Sequence, residues 1–133
     1  MKSCFFDYML DPKYSDIIGA KHFEPDEFEK EILDTVRNAG YKLDYKLESS
    51  LKTDHALYDC LILHPRFDLF GPSVESWKKL IIDKIDKPIL IITGGPAKTG
   101  IYRREIGERK NLEYADFMLP KFIIEFLKKY DKK

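Results

Sequence analysis

The chain has 133 residues, of which 44% are hydrophobic and 35% charged, and this composition fits one globular domain with its own core. Lysine plus arginine and aspartate plus glutamate each total 23, so the chain lacks the positive field of a general nucleic-acid or membrane-surface binder. No apolar run approaches a membrane span, and the N-terminal stretch is too short and acidic for a signal peptide. We therefore expect a cytoplasmic protein.

Hydrophobic patterning predicts five strands. The first begins with the apolar run Cys4-Phe5-Phe6, and residues 41–47 alternate apolar and polar side chains, which is typical of an edge strand. The runs Cys60-Leu61-Ile62-Leu63 and Ile89-Leu90-Ile91-Ile92 are apolar on both faces, as expected inside a parallel sheet. The predicted strands are residues 2–10, 41–47, 57–63, 88–93 and 114–119.

Helical periodicity fills the intervals between the strands. The best-patterned helix starts at Pro25 and stops at Gly40. Its apolar residues at helical spacing are Phe28, Ile32, Leu33, Val36 and Ala39. Further helices are predicted at residues 49–57, 73–85, 100–110 and 121–130, whereas residues 11–24 show no period and are predicted as a long loop.

This alternation predicts the fold class. Five strands joined by helices indicate a three-layer α/β domain with a doubly wound, five-stranded parallel sheet. The flavodoxin-like strand order 2-1-3-4-5 is the expected topology.

Two cysteines, Cys4 and Cys60, lie in apolar strand-like runs and form no CxxC pair. We expect each to be a buried and inert thiol. The lack of glutamine and the abundance of lysine, glutamate and isoleucine resemble thermophile composition.

From about Phe28 onward, the order and wording of the chain resemble the receiver domain of bacterial two-component response regulators. The segment NAGYKLDYKLESSLKTDHALYDCLILHPRF is similar to the family's helix ending in AGY, its second strand and helix, and its YDLILLD third strand. PILIITGG resembles the fourth strand PIIMLTA, and YADFMLPKFIIEFLKKY resembles GADDYLTKPF with the final helix. The resemblance implies one receiver-like domain over residues 1–133, with an extended loop at residues 11–24.

The resemblance also implies where a site would lie. Receivers accept a phosphoryl group on an aspartate that ends the third strand, hold Mg²⁺ partly through an acidic pair after the first, and respond through a Thr or Ser and a Lys. His64 occupies the phosphoacceptor place and Thr93 the switch place. Asp7 and Asp11 are the candidate metal ligands, although they are not adjacent in sequence.

Two departures from the family pattern predict a degenerate site. An imidazole at His64 cannot form an acyl phosphate, and its nitrogen is a poor ligand for Mg²⁺. Lys121 is the candidate for the responsive lysine, but Pro120 takes the matching position. A shift of one residue at a strand end turns a side chain to the other face.

His64 has a functional and a structural interpretation. It would act as a general base, a metal ligand or a phosphorylated imidazole, because ligands bind at the carboxyl ends of strands in open α/β sheets. The alternative is a hydrogen-bonded histidine in a relic site, which we favour because spacing identifies no catalytic partner. A transition-metal cluster of His22, His64 and an aspartate is a further hypothesis.

Residues 94–100, GGPAKTG, follow the predicted fourth strand. Backbone N–H groups at Gly94 and Gly95, with Lys98 and Thr99 alongside, could form a nest for phosphate or a nucleotide. The spacing is not that of a P-loop, and a plain turn is the favoured alternative.

Two surface segments are candidates for contact with a partner. The basic residues of the 100–110 segment are interspersed with Glu105 and Glu108, so a solvated helix face explains them better than a nucleic-acid site. The resemblance implies that the fourth helix, fifth strand and fifth helix form a contact surface. An aromatic loop is either an exposed contact or part of the core. The residues concerned are Arg103, Arg104, Arg109 and Lys110 in the first segment, and Phe67, Leu69 and Phe70 in the second.

The leading hypothesis is a stand-alone, degenerate receiver-like regulatory domain. It would act through contact with a protein partner, or with a second copy of the chain, and it is more consistent with a binding protein than with an enzyme. The alternative is a small flavodoxin-like enzyme or ligand-binding protein that uses the crevice beside Asp7, His64, Thr93 and residues 94–100. We expect no bound cofactor, with Mg²⁺ or phosphate as the ligands open to the crevice, and no membrane or nucleic-acid partner.

Overall fold

Five parallel strands form a single sheet in the order β2-β1-β3-β4-β5. The computed structural model describes residues 1–7, 27–47, 50–64, 79 and 84–130. Its strands are β1 (Ser3–Asp7), β2 (Leu43–Leu47), β3 (Cys60–His64), β4 (Ile89–Ile92) and β5 (Leu112–Ala115). The order confirms the predicted doubly wound α/β fold of flavodoxin-like topology.

Four α-helices lie within these described residues. They are α1 (Glu27–Asn38), α2 (Leu51–Asp54), α3 (Pro96–Ile106) and α4 (Pro120–Tyr130), and a 3₁₀ turn at His55–Leu57 follows α2. Helix α1 ends at Asn38, and the turn after it contains Gly40, the predicted stop, which adopts a φ of 101° that other residues rarely reach. The longest of these helices has 12 residues, and none has the length and hydropathy of a membrane span.

Helices cover the sheet on both faces and create two cores. On the first, the α1–α4 face, Ile62 and Ile92 of the sheet pack with Leu33 of α1 and Phe126 of α4. On the second, the α3 face, the neighbouring strand residues contact Tyr102 and Ile106 of α3. Successive strand residues point to opposite faces, so the inner strands are apolar on both sides, as their sequence predicts.

Several boundaries differ from the predicted ones, and the largest differences are those of β5 and α3. Strand β5 spans Leu112–Ala115 and not residues 114–119, because it pairs only with β4, and its pairing ends where Ile92 meets Ala115. Helix α3 begins at Pro96 and not at residue 100, since proline suits the first helical turn, where its missing N–H costs nothing.

The buried stripe of α1 also differs from the predicted one. Phe28 is 56% exposed and Ala39 is exposed, whereas the inward residues are Glu29, Ile32, Leu33 and Val36. Burial of each of the three apolar side chains contributes about 1.5–3 kcal/mol, which holds the helix in place despite the acid beside them. Glu29 is therefore buried between α1 and the sheet because its apolar neighbours on the helix are buried there.

Several predictions lie outside the described residues. They are the loop at 11–24 with Asp11 and His22, the aromatic residues Phe67, Leu69 and Phe70, and most of the predicted helix at 73–85. Ile85 at the end of that helix is described and is buried, as expected.

Candidate functional site

Two polar side chains meet where β1 and β3 end. The parallel register pairs Asp7 with His64, the last residues of the two strands. Strand order reverses between β1 and β3, since β2 lies on one side of this pair and β4 on the other. In open α/β sheets the carboxyl ends of the strands at such a reversal are where ligands bind. The structure thus brings together two of the predicted site residues at this point.

Asp7 is held by hydrogen bonds on both carboxylate oxygens. Its side chain is fully buried. Nδ1 of His64 lies 2.9 Å from Oδ1, and the hydroxyl of Tyr45 on β2 donates to Oδ2 over 2.7 Å. An ionised carboxylate only accepts, so the imidazole is the donor of the first bond. Three neighbouring strands therefore orient this one acid.

Glu29 of α1 completes the cluster from above the sheet. The residue is only 5% exposed, and its Oε2 lies 3.8 Å from Nδ1 of His64. Sequence reasoning missed Glu29, although it stands at i, i+3, i+4 and i+7 spacing with Ile32, Leu33 and Val36. A charged residue in register with an apolar stripe was the signal that could have found it. We call Asp7, Glu29 and His64 the strand-end cluster.

Asp7 and Glu29 change the pKa of the His64 imidazole. Burial lowers the pKa of the imidazole, but the hydrogen bond that the ring donates to Asp7 and the proximity of Glu29 raise it more, to about 9. The ring of Phe5 lies 6.3 Å away between centroids, and 18% of the His64 side chain is exposed. The imidazole is thus a cation at neutral pH, and it compensates carboxylates that would otherwise be costly to bury.

The strand-end cluster has the composition of a metal site. One ligand atom from each of Asp7, Glu29 and His64 can be chosen so that all lie within 4.8 Å of one another. Asp7 is thus still a candidate metal ligand, whereas Asp11, the other predicted one, is outside the described residues. The imidazole makes the set unsuited to Mg²⁺, which prefers six oxygen ligands.

Thr93 belongs to a separate group on the α3 face. Its Oγ1 lies 2.7 Å from Oγ1 of Thr99, and it donates to the carbonyl of Gly95 over 3.0 Å. Both threonines are buried, and they fasten the end of β4 to the first turn of α3. Ile92 contributes to the α1–α4 face, so alternation places Thr93 on the opposite side of the sheet from the strand-end cluster.

The predicted phosphate nest is a turn of two glycines followed by helix. Gly94 and Gly95 have open space where a Cβ would stand, and the N–H of Gly95 donates to Oγ1 of Thr93. Lys98 is exposed on the first turn of α3. Anion binding at this turn stays a prediction.

Lys121 and Arg103 make contacts at the surface, where Arg104, Arg109 and Lys110 are exposed. Lys121 is exposed near the start of α4, and its Nζ lies 5.1 Å from the centroid of the Phe122 ring. Arg103 forms an ion pair with Glu108 and lies over the ring of Tyr114. These contacts are those of solvated helix faces.

Both cysteines are buried free thiols, as predicted. Burial raises the pKa of Cys4 to about 12, so its thiol stays protonated at neutral pH. Because the thiolate is the reactive form, the raised pKa and the burial of Cys4 disfavour a nucleophilic role.

Comparison of the chain with protein-family models, curated proteins and solved structures gives no match. Any functional assignment therefore rests on the geometry described above and on the resemblance in its sequence.

Proposed function

We propose that this chain is a receiver-like regulatory domain that acts by binding another protein and does not use aspartyl phosphorylation. The observation that carries the proposal is the contact between His64 and Asp7 at 2.9 Å. In the resemblance, His64 stands where a receiver has its phosphoacceptor. Its ring nitrogen is bonded to the acid that would otherwise help to hold Mg²⁺. Among the described residues at these strand ends, the receiver reaction therefore lacks an aspartate at the acceptor place and a carboxylate free for the metal.

Two further residues support the proposal. The hydroxyl of Thr93, at the switch place, is bonded to Thr99 and Gly95 beneath α3. Lys121, the candidate responsive lysine, is exposed and packs over Phe122. Both groups are committed to local structure and do not need a phosphoryl group to hold them.

Exposed apolar side chains support contact with a protein. Ile101 on α3 is 42% exposed, and Phe117 and Leu119, in the connection from β5 to α4, are 49% and 40% exposed. The resemblance implies a contact surface formed by α3, β5 and α4. Ile101 lies on the first of these elements, and Phe117 and Leu119 lie between the other two. We call these three residues the β5 surface. Large apolar residues on neighbouring elements are a usual feature of protein interfaces.

The absence of phosphoryl transfer is tested with acetyl phosphate and Mg²⁺. Intact-mass measurement of the treated chain should show no added phosphoryl group. A phosphorylated aspartate would contradict the proposal directly.

The protein contact is tested by quantitative affinity capture with a matched pair of variants. Phe117→Ser with Leu119→Ser should lose a partner that the wild-type chain recovers, because both changes remove apolar area from the β5 surface. Leu57→Ser is the control, since Leu57 is 58% exposed on the 3₁₀ turn, outside that surface. Recovery that is the same for all three proteins would contradict contact through the β5 surface.

A small ligand-binding protein or enzyme is the second candidate. It is favoured by the position of the strand-end cluster at the reversal of strand order, where α/β proteins place their ligands. Its test is a thermal shift with phosphate or nucleotides, because a ligand that binds the native state raises its stability. A shift that His64→Gln abolishes would promote this candidate, and no shift with either ligand would count against it.

A further inference from the structure

We propose that Asp7, Glu29 and His64 bind a divalent transition-metal ion, with Zn²⁺ as the reference ion. The inference goes beyond the proposed protein contact and does not depend on it. It concerns metal binding at the strand-end cluster and not protein contact at the β5 surface, and it is measured on the purified chain alone.

The geometry needs little adjustment to accept an ion. Nδ1 of His64 lies 2.9 Å from Oδ1 of Asp7 and 3.8 Å from Oε2 of Glu29. In a tetrahedral site with metal–ligand bonds of about 2.1 Å, ligand atoms are roughly 3.4 Å apart. The two observed separations lie on either side of that value. Small rotations of the side chains would therefore place all three atoms around one ion.

The donor set selects the kind of metal. One imidazole nitrogen and two carboxylate oxygens suit Zn²⁺ and the neighbouring first-row ions, whereas Mg²⁺ requires near-octahedral oxygen coordination. Three protein ligands leave a fourth position open for water or a small ligand. The imidazole of His64 thus gives the site a preference for a borderline cation over a hard one.

The surroundings hold the ligands in position. They come from β1, α1 and β3, which are fixed to one another by the sheet and by the α1–α4 core. The hydroxyl of Tyr45 occupies Oδ2 of Asp7, so Oδ1 is the oxygen turned to His64. Hydrogen bonds of this kind orient metal-binding carboxylates and commonly change metal affinity 10–100-fold. An imidazole nitrogen binds a metal only in its neutral form, so the ion replaces the Nδ1 proton of His64, which is released to solvent on binding.

The test is calorimetric titration of the EDTA-treated full chain with Zn²⁺. We expect binding of one ion per chain that excess Mg²⁺ does not displace. Glu29→Gln keeps the size of the side chain but removes its charge, and it should weaken binding at least about tenfold. His55→Gln is the control, because His55 lies on the 3₁₀ turn and is not part of the strand-end cluster. It should bind as the wild type does.

A second measurement avoids dependence on the stability of the variants. In the NMR spectrum of the wild-type chain, Zn²⁺ should shift the ring signals of His64 and leave those of His55 unchanged. The proposal is overturned if the wild type binds no Zn²⁺, if Zn²⁺ leaves the His64 signals in place, or if a folded Glu29→Gln chain binds as tightly as the wild type. None of these results bears on capture of a protein partner or on acetyl phosphate treatment, so the two proposals fail separately.

Discussion

Tyr45 determines how Asp7 is presented to the site. Its hydroxyl bonds to Oδ2 of Asp7 at 2.7 Å, and its ring stacks on Phe5 with centroids 6.0 Å apart. The contact with Phe5 holds the Tyr45 ring in position, and the Tyr45 hydroxyl in turn orients the carboxylate of Asp7. An edge-strand tyrosine thus contributes to the strand-end cluster without belonging to it.

Tyr45→Phe should lower the free energy of unfolding by about 1–3 kcal/mol, because it leaves a buried charged acceptor without one of its donors. Urea unfolding at neutral pH measures the change. Tyr41→Phe is the matched control, since the described part of the chain offers no hydrogen-bond partner to that hydroxyl, and it should change stability by less than about 0.5 kcal/mol. Equal stability of the two variants would show that Tyr45 does not support Asp7.

Helix ends are the points at which glycine is required in this fold. Gly40 after α1 and Gly107 after α3 adopt φ values of 101° and 91°. Gly100, inside α3, has no such φ and has open space where a Cβ would stand. The same substitution should therefore act in opposite directions at the two kinds of position.

Gly40→Ala should destabilise the chain by about 1–2 kcal/mol, because a side chain in the left-handed region is strained. Gly100→Ala should stabilise it by about 0.5–1 kcal/mol, because alanine loses less conformational freedom in a helix. Thermal unfolding of the two variants beside the wild type gives both signs. A gain for Gly40→Ala would contradict the described helix end.

The threonine pair links β4 to α3. Oγ1 of Thr93 and Oγ1 of Thr99 are 2.7 Å apart, and both residues are buried. A double-mutant cycle with Thr93→Val and Thr99→Val should give a coupling energy of about 1 kcal/mol, because each single change leaves the other hydroxyl without this partner. Additive losses in the cycle would mean that the contact between the two hydroxyls does not contribute to the link between β4 and α3.

At the scale of the whole molecule, the sheet was predictable because β3 and β4 are continuous apolar runs with helical patterns between them. The strand order 2-1-3-4-5 was expected from the likeness to receiver and flavodoxin-like domains, since the rules for crossover connections limit the topologies without determining the order. The ends of the strands were harder to predict from the sequence, since the end of β5 is determined by its partner β4 and not by its own residues. The position of a strand's end depends on contacts that sequence period does not encode.

Of the strand-end cluster, the two residues on strands were predictable from the sequence and the residue on the helix was not. Asp7 and His64 end neighbouring strands, so strand order alone brings them together. Glu29 comes from a helix, and its contact with His64 depends on how α1 lies across the sheet. The register of Glu29 with the apolar stripe of α1 could have indicated its burial, but the contact with His64 is revealed only by three-dimensional packing. Thr93, although it also follows a strand, turns to the other face.

The strand-end cluster should make global stability depend on pH. The folded pKa of His64, about 9, lies above its ordinary value of 6.5, so the stabilisation is complete below pH 6.5 and is lost as pH rises through 9. Among the described residues, the charged groups that face the imidazole are Asp7 from β1 and Glu29 from α1. The advantage of the wild type over His64→Gln should shrink by about 3 kcal/mol across this interval.

Urea unfolding of both proteins in EDTA, at a series of pH values, checks this dependence. Groups elsewhere in the chain titrate alike in the two proteins and cancel in the difference. A stability difference that is constant between pH 6 and about 10 would show that the imidazole is not held as a cation.

The most direct measurement is an NMR titration of the histidine rings in the metal-free chain, with His64 assigned from the spectrum of His64→Gln. The account predicts that the His64 ring titrates with a pKa of about 9, because Asp7 and Glu29 stabilise its charged form. A pKa near the ordinary 6.5 would contradict the account, since His64 would then be a strand-end histidine without an acidic cluster around it.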